Sequence, residues 1–158
     1  MAALTSSEID ELIAKLKKFP YACAAGTTNL GPLEGAPNVV PEIATNDVTL
    51  YETETDVQAR FLTKNDLMVT IKTRDVATAM GLQAAFAKGD NVFASANKVS
   101  LTMVPITNTT ESTITFANAY LQPGLNFTPG QDGTPSVVEL QYYCKADPTT
   151  GKPFTYGS

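Results

Sequence analysis

The side chains with the most chemical potential in this chain are three carboxylates at alternate positions, Glu52, Glu54 and Asp56. On an extended strand they project from one face, a spacing that suits a hard cation or an acid/base carboxylate pair. Acids at alternate positions are also what a solvated strand face shows, and spacing alone does not separate the two, so the solvated face is the reading adopted. Histidine is absent from the whole sequence, which removes the commonest general base and the Ser-His and Cys-His pairings on which most hydrolase templates depend.

The remaining reactive groups are few. Cys23 and Cys144 lie far apart, with no C-x-x-C and no histidine to complete a zinc site. Two buried free thiols are expected, and a disulfide between them stays open. Gly151-Lys152 lacks the preceding glycine of a phosphate-binding loop, and Gly26 with Gly31 does not form a dinucleotide fingerprint. Asn108 and Asn126 each head an N-x-[ST] triplet and are read as turn residues. Tyr142 and Tyr143, with Tyr120, Phe127, Phe154 and Tyr156 nearby in sequence, could stack on sugars or bases, but no basic residues are interleaved with them and core packing is the expected use. The expectation is a chain without catalytic residues, cofactor or metal, and not an enzyme.

Charge narrows the partners. Sixteen acidic against 11 basic residues give a net charge of -5, the opposite of the clustered Lys and Arg that grip phosphate. Such a surface suits DNA that passes without sticking. Charged residues are only 17% of the total, so Thr, Asn, Gln and Ser carry much of the polar surface, which favours contact with neighbours. Glu8, Asp10 and Glu11 crowd the start, without the positive stretch and apolar core of a secretory signal, and no apolar run is long enough to cross a bilayer. Neither export nor membrane insertion is expected.

The elements follow from periodicity. At 158 residues, 43% of them hydrophobic, one domain spanning 1–158 is the default. Ile9, Leu12, Ile13 and Leu16 make one stripe of an N-terminal helix over 7–18, with Ser7 and Asp10 as capping box, Lys15, Lys17 and Lys18 in the last turn and Pro20 as the stop. Glycines and prolines over 21–46 predict an extended, irregular arm, and a β-rich core fills 47–158. Within that core Tyr51, Val57, Ala59 and Phe61 share one parity and Glu52, Glu54, Asp56, Gln58, Arg60 and Lys64 the other; with a turn at Thr63–Asp66 and a strand through Leu67, Val69 and Ile71 this reads as a hairpin. Asp75 caps a second helix running past Phe86 to Gly89, and strands follow at Val99–Val104, Ser112–Ala117 and Val137–Ala146, separated by a Pro/Gly loop over Gln122–Pro135 and followed by a turn-like tail. The class is α+β, mainly β: an antiparallel β-sandwich or barrel with a flanking helix, an N-terminal helix and long Pro/Gly-rich loops.

The order of these C-terminal pieces, Thr113-Ile114-Thr115-Phe116-Ala117-Asn118-Ala119-Tyr120-Leu121, the loop through Gly130, Ser136 to Lys145, then Asp147-Pro148-Thr149-Thr150-Gly151-Lys152-Pro153-Phe154, resembles that of phage tail-tube (major tail) proteins and related tail-like tube proteins, over roughly Val39 to Ser158. The resemblance implies a structural virion protein, assembled in the host cytoplasm, whose subunits join edge to edge into rings that stack into a hollow tube for DNA passage. Its partners are then copies of itself, other tail or connector proteins, and DNA in transit without specific binding. The hairpin Thr49–Thr73 becomes the candidate lumen wall, with Glu52, Glu54 and Asp56 facing the DNA and Tyr51, Val57 and Phe61 facing the domain interior. The N-terminal helix has no place in that pattern. Two other readings stay open: a head-to-tail connector, head-completion or capsid-decorating protein, and a β-sandwich module binding carbohydrate or protein.

Overall fold

The computed structural model describes residues 3, 5–14, 20–49, 57–106 and 113–157. Along them run α1 (Ser6–Ala14), β1 (Tyr21–Ala25), β2 (Thr28–Asn29), β3 (Asn38–Thr49), β4 (Val57–Thr73), α2 (Val76–Ala84), β5 (Lys98–Pro105), β6 (Ile114–Leu121), β7 (Asn126–Thr128), β8 (Val137–Cys144) and β9 (Thr155–Tyr156). The nine strands make one open antiparallel sheet ordered β2-β1-β5-β6-β8-β4-β3, with β7 added to β8 and β9 to β6. The mainly β, α+β class expected from the sequence is the class observed.

The centre of the sheet is a short seam. β6 and β8 are paired at only three positions, Ala119↔Cys144, Tyr120↔Tyr143 and Leu121↔Tyr142. Backbone bonds from Gln122 N–H to the Gln141 carbonyl (2.8 Å) and from Lys145 N–H to the Asn118 carbonyl (2.9 Å) extend it slightly. Beyond the seam the two strands part: the start of β6 takes β9 as neighbour, and the start of β8 takes β7. The sheet therefore has two wings, β2-β1-β5-β6-β9 and β7-β8-β4-β3, joined along that line.

Both wings feed one core. The alternation of β8 sends Val138, Leu140, Tyr142 and Cys144 inward, where they meet Val69 and Ile71 of β4, Cys23 and Ala25 of β1, Leu101 and Met103 of β5, and Phe116 of β6. Ala79 of α2 and Leu30 complete it, with Val76, Met80, Leu82 and Phe86 packed alongside. Fully burying one such aliphatic or aromatic side chain is worth about 1.5–3 kcal/mol. On the opposite face of the seam Phe93 lies edge-on to Tyr120 (5.3 Å) and Tyr143 (5.4 Å), and the Lys145 ammonium sits 4.1 Å from the Phe93 ring centre. The seam is thus covered on both sides. Cys23 and Cys144 are both free thiols, buried in this core, so the disulfide left open by the sequence is not formed.

Several expectations are corrected. The arm predicted over 21–46 instead contains β1, β2 and most of β3: the small residues of Tyr21–Ala25 pair with β5 from Tyr21↔Pro105 to Ala25↔Leu101, and Gly26, at φ 61°, turns the chain directly into β2. Pro41 sits in β3 because that strand is at the sheet edge, where a missing N–H is tolerated. The turn predicted at Thr63–Asp66 is mid-strand, since β3 pairs across it (Ala44↔Lys64, Ile43↔Asn65, Glu42↔Asp66). Tertiary bonds absorb its polar residues: Asp66 accepts from Tyr143 Oη (2.7 Å) and Ala146 N–H (2.9 Å), Asn65 Nδ2 donates to the Gly151 carbonyl, and Thr63 Oγ1 to that of Ala44.

At the N-terminus the capping box is Thr5 with Glu8, not Ser7 with Asp10. The Glu8 carboxylate accepts from Thr5 N–H (2.7 Å), Thr5 Oγ1 accepts from Glu8 N–H (3.3 Å), and the backbone bond holds the Glu8 carboxyl below its usual range. A Glu side chain has the reach for this where an Asp is one carbon short. The lysines expected in the last turn of the 7–18 helix lie outside the described residues. Asp75 caps α2 as expected, accepting from Thr78 N–H (3.3 Å), but the helix ends at Ala84, short of Gly89. Inside the loop 122–135, Asn126–Thr128 pair with β8, and Thr155–Tyr156 of the tail pair with β6.

Burial raises Cys23 and Cys144 from an ordinary 9.0 to about 12 and Tyr142 from 10.0 to about 12. All three are neutral in the folded chain up to that pH, while the unfolded chain ionises them from about pH 9 upward. Above pH 9 the unfolded state therefore holds fewer protons, and stability falls with rising pH toward 12. Urea titrations at pH 8 and 10.5 should show this loss, and Cys23→Ala should reduce its slope. A second outcome concerns Asp66: Asp66→Ala removes two charge-assisted bonds and should cost about 2–3 kcal/mol in chemical denaturation, with Asp66→Asn, which keeps one acceptor, costing less.

Candidate assembly surface

Antiparallel pairing of β3 and β4 runs from Asn38↔Thr70 to Thr49↔Val57, but only Leu67–Thr73 of β4 also pairs with β8. Beyond Leu67 the two strands continue as a ribbon of two. Here β4 carries two extra residues: Ala44 and Thr45 face Lys64 and Leu62, with Thr63 as the inserted residue, and Val48 and Thr49 face Ala59 and Val57, with Gln58 as the inserted residue. Each such bulge changes which side of the ribbon the next residues occupy.

Strict alternation of β3 sets the two sides. On the side continuous with the core lie Val39, Pro41, Ile43, Thr45 and Asp47, opposite Val69, Leu67, Asn65, Leu62 and Arg60. On the other lie Val40, Glu42, Ala44, Asn46 and Val48, opposite Met68, Asp66, Lys64, Phe61 and Ala59. Arg60 and Asp47 form a two-bond ion pair (2.7 and 3.1 Å) that holds the Asp47 carboxyl below its ordinary range, and Lys64 stands 5.5 Å from the Tyr143 ring centre.

The sequence-predicted residues fare unevenly against this frame. Glu52, Glu54 and Asp56, with Tyr51, lie outside the described residues. Val57 and Phe61, expected to face the domain interior, are instead 49% and 59% exposed: the bulge at Thr63 turns Phe61 to the opposite side, while Val57, returned to the core-facing side by the second bulge, lies on the ribbon beyond the core. Tyr142 is core and Tyr143 is half-buried over the seam, whereas Phe127 and Phe154 are exposed. Among the described residues no group of three or more Cys, Asp or Glu side chains is placed to hold a metal ion.

What periodicity misses is apolar surface. Ile43 is 55% exposed, Leu62 52%, Val48 39% and Val40 42%, and the α1 stripe Ile9, Leu12 and Ile13 is 43–48% exposed. The sequence carries one signal for it: Phe61-Leu62, two adjacent large apolar residues, breaks alternation where the bulge falls. The chain exposes 10494 Å². A compact monomer of 16.8 kDa exposes about 7,600 Å², so the chain is more extended than a typical monomer of its mass.

Among the described residues, two of the larger grooves are lined mainly by apolar groups. One, about 630 Å³, lies between the end of α2 and Pro123–Leu125, with Met80, Phe86 and Val92 in its wall and Lys88 and Asp90 at its rim. The other, about 720 Å³, is formed by Pro20–Ala22, Pro32, Leu33, Pro37, Met103 and Ile106 and has no charged side chain. Neither contains a nucleophile beside a base.

No protein-family model matches the sequence, and no curated protein matches it significantly. Solved structures do match. The anti-feeding prophage cap, which terminates the tube of that particle, superposes with a TM-score of 0.60 at 8% identity over 98% of this chain and 93% of that one. A chain of the sheath–tube complex of an extracellular contractile injection system, PVC, in its extended state, gives 0.54 at 10% identity over 89% and 94%. Over nearly its whole length the chain therefore has the fold found in components of these tail-like machines.

Proposed function

We propose that this chain is a non-catalytic structural subunit of a tail-like particle, assembling with copies of itself into rings that stack as a hollow tube. The observation that carries the proposal is exposed apolar surface: large side chains on α1 and on the β3–β4 ribbon, among them Ile9, Leu12, Ile43, Phe61 and Leu62, stand open to water. Monomers rarely leave so many large apolar side chains open to water on neighbouring positions unless they dock. The unpaired edge of β3, 12 residues long, adds backbone donors and acceptors that a neighbour's strand would satisfy. A head-to-tail contact of this kind closes into a ring when its rotation allows.

The likeness to a tube-terminating cap supports a second reading, in which the chain makes one ring and ends or connects a tube without extending it. In either case its partners are its own copies and other tail proteins, its place is the virion or a virion-like particle, and DNA in transit meets a surface of net charge -5 that does not hold it. A β-sandwich binding module is disfavoured by the two apolar projections, which would burden a free monomer.

Negative-stain microscopy across a concentration series separates these readings: stacked tubes are the expected product, isolated rings assign the chain to the terminator or connector role, and a monomer at every concentration overturns self-assembly. Exchanging Glu52, Glu54 and Asp56 for Lys tests the lumen assignment. Assembly should be unchanged, while DNA passage is impaired and duplex DNA binds in a salt-sensitive way. Loss of assembly would place these residues at an interface between subunits.

A further inference from the structure

We infer that α1 of one subunit lays its apolar stripe, Ile9, Leu12 and Ile13, into the groove between the end of α2 and Pro123–Leu125 of the next subunit. The inference rests on the proposed self-assembly and names a contact that carries it.

Among the described residues α1 contributes no side chain to the core, and its stripe is 43–48% exposed. A helix of nine residues is too short to persist in water on propensity alone, and a docked apolar face is what ordinarily holds one. The groove of about 630 Å³ walled by Met80, Phe86, Val92 and Leu125 is apolar and open, with Leu125 58% exposed. An amphipathic helix seated in such a groove by residues at i, i+3 and i+4 is a recurring mode of recognition between chains.

Position in the sheet makes the acceptor another copy. The chain enters the sheet at Pro20, whose carbonyl accepts from Ile106 N–H (3.0 Å) just past the Pro105 end of β5. The groove lies past the other end, because β6 runs antiparallel to β5, from Ile114 beside Met103 to Tyr120 beside Lys98, before the chain reaches Pro123. The eight residues of β5 set the two ends roughly 23 Å apart at the rise of a strand. Ala14 and Pro20 are joined by at most about 20 Å of chain, so the end of α1 stays short of its own groove even with that link fully drawn out. A helix at one end and its seat at the other make a head-to-tail contact, the kind that repeats from copy to copy.

Charge selects this groove over the other apolar one. Successive helix residues turn by about 100°, which sets Glu8 and Asp10 on the two flanks of the stripe. Glu8 is taken by the Thr5 cap, which leaves Asp10. At the groove rim Lys88 is in no ion pair among the described residues, while the Asp90 carboxylate is engaged by Ala87 N–H (2.8 Å). The groove at Pro20–Ala22 offers Asp10 no cation and lies at the α1 end of the wing.

Disulfide trapping tests this, because Cys23 and Cys144 are buried and new surface cysteines react first. Leu12→Cys chains are co-assembled with size-tagged Leu125→Cys or, as control, Ile106→Cys chains and then oxidised; all three positions are exposed, so the substitutions leave the core as it is. In assembled particles the 12–125 pair should shift to a mixed dimer on a non-reducing gel, and the 12–106 pair should not. Lys88→Glu in the acceptor should lower that yield about two- to fivefold, and Asp10→Lys in the donor should restore it. Particles that form without the 12–125 link, or that link 12 to 106 instead, overturn the α1 contact and leave self-assembly standing. With Leu12→Cys and Leu125→Cys in one chain, a link within that chain overturns the contact between copies. A chain that never assembles overturns both the contact and the self-assembly.

Discussion

Three register pairs between β6 and β8 hold the two wings of the sheet together, and nearly every other feature of the chain depends on them. On the inner side Ala119, Leu121, Tyr142 and Cys144 are buried at the point where residues of both wings converge. On the outer side Tyr120 and Tyr143 stand opposite each other beneath Phe93, with Lys145 over its ring. Asp66 ties the outer end of the seam to β4 through the Tyr143 hydroxyl and the Ala146 amide. Close to the base of the ribbon, one carboxylate therefore couples its direction to the joint between the wings.

How much of this can be read from sequence depends on whether local or distant groups decide each element. β8 is legible because Val138, Leu140, Tyr142 and Cys144 alternate without interruption and one side of the strand is core. α2 is legible at its start, where Asp75 and Thr78 are near neighbours, and less so at its end, which no local glycine sets. Tyr21–Ala25 is not legible as a strand: its small residues gain their place from β5, far along the chain. The same holds for Thr63–Asp66, whose polar residues look like a turn and are held straight by partners on β3, β8 and the C-terminal loop.

The surface that matters most for the proposed role is legible only in part. A bulge is a count of residues on one strand against those on its partner, and a single strand does not contain that count. Parity reading therefore sends Phe61 inward, while pairing with Asn46 sends it out. The absence of histidine and the acidic balance are properties of composition, and they direct attention toward structure and assembly without requiring any fold.

The β3–β4 pairing, like that of β5 with β6, joins strands close together in the chain, whereas β1 meets β5 through Cys23↔Met103 and β4 meets β8 through Leu67↔Cys144. Local contacts form early and distant ones late, because a long loop must close before it is rewarded. A newly made chain thus holds its ribbon before its core is shut. Through that interval the apolar residues of the ribbon meet other unfinished chains as readily as finished ones, so the order of folding, and with it the rate of synthesis, bears on whether the ribbon finds its proper neighbour or a tangle.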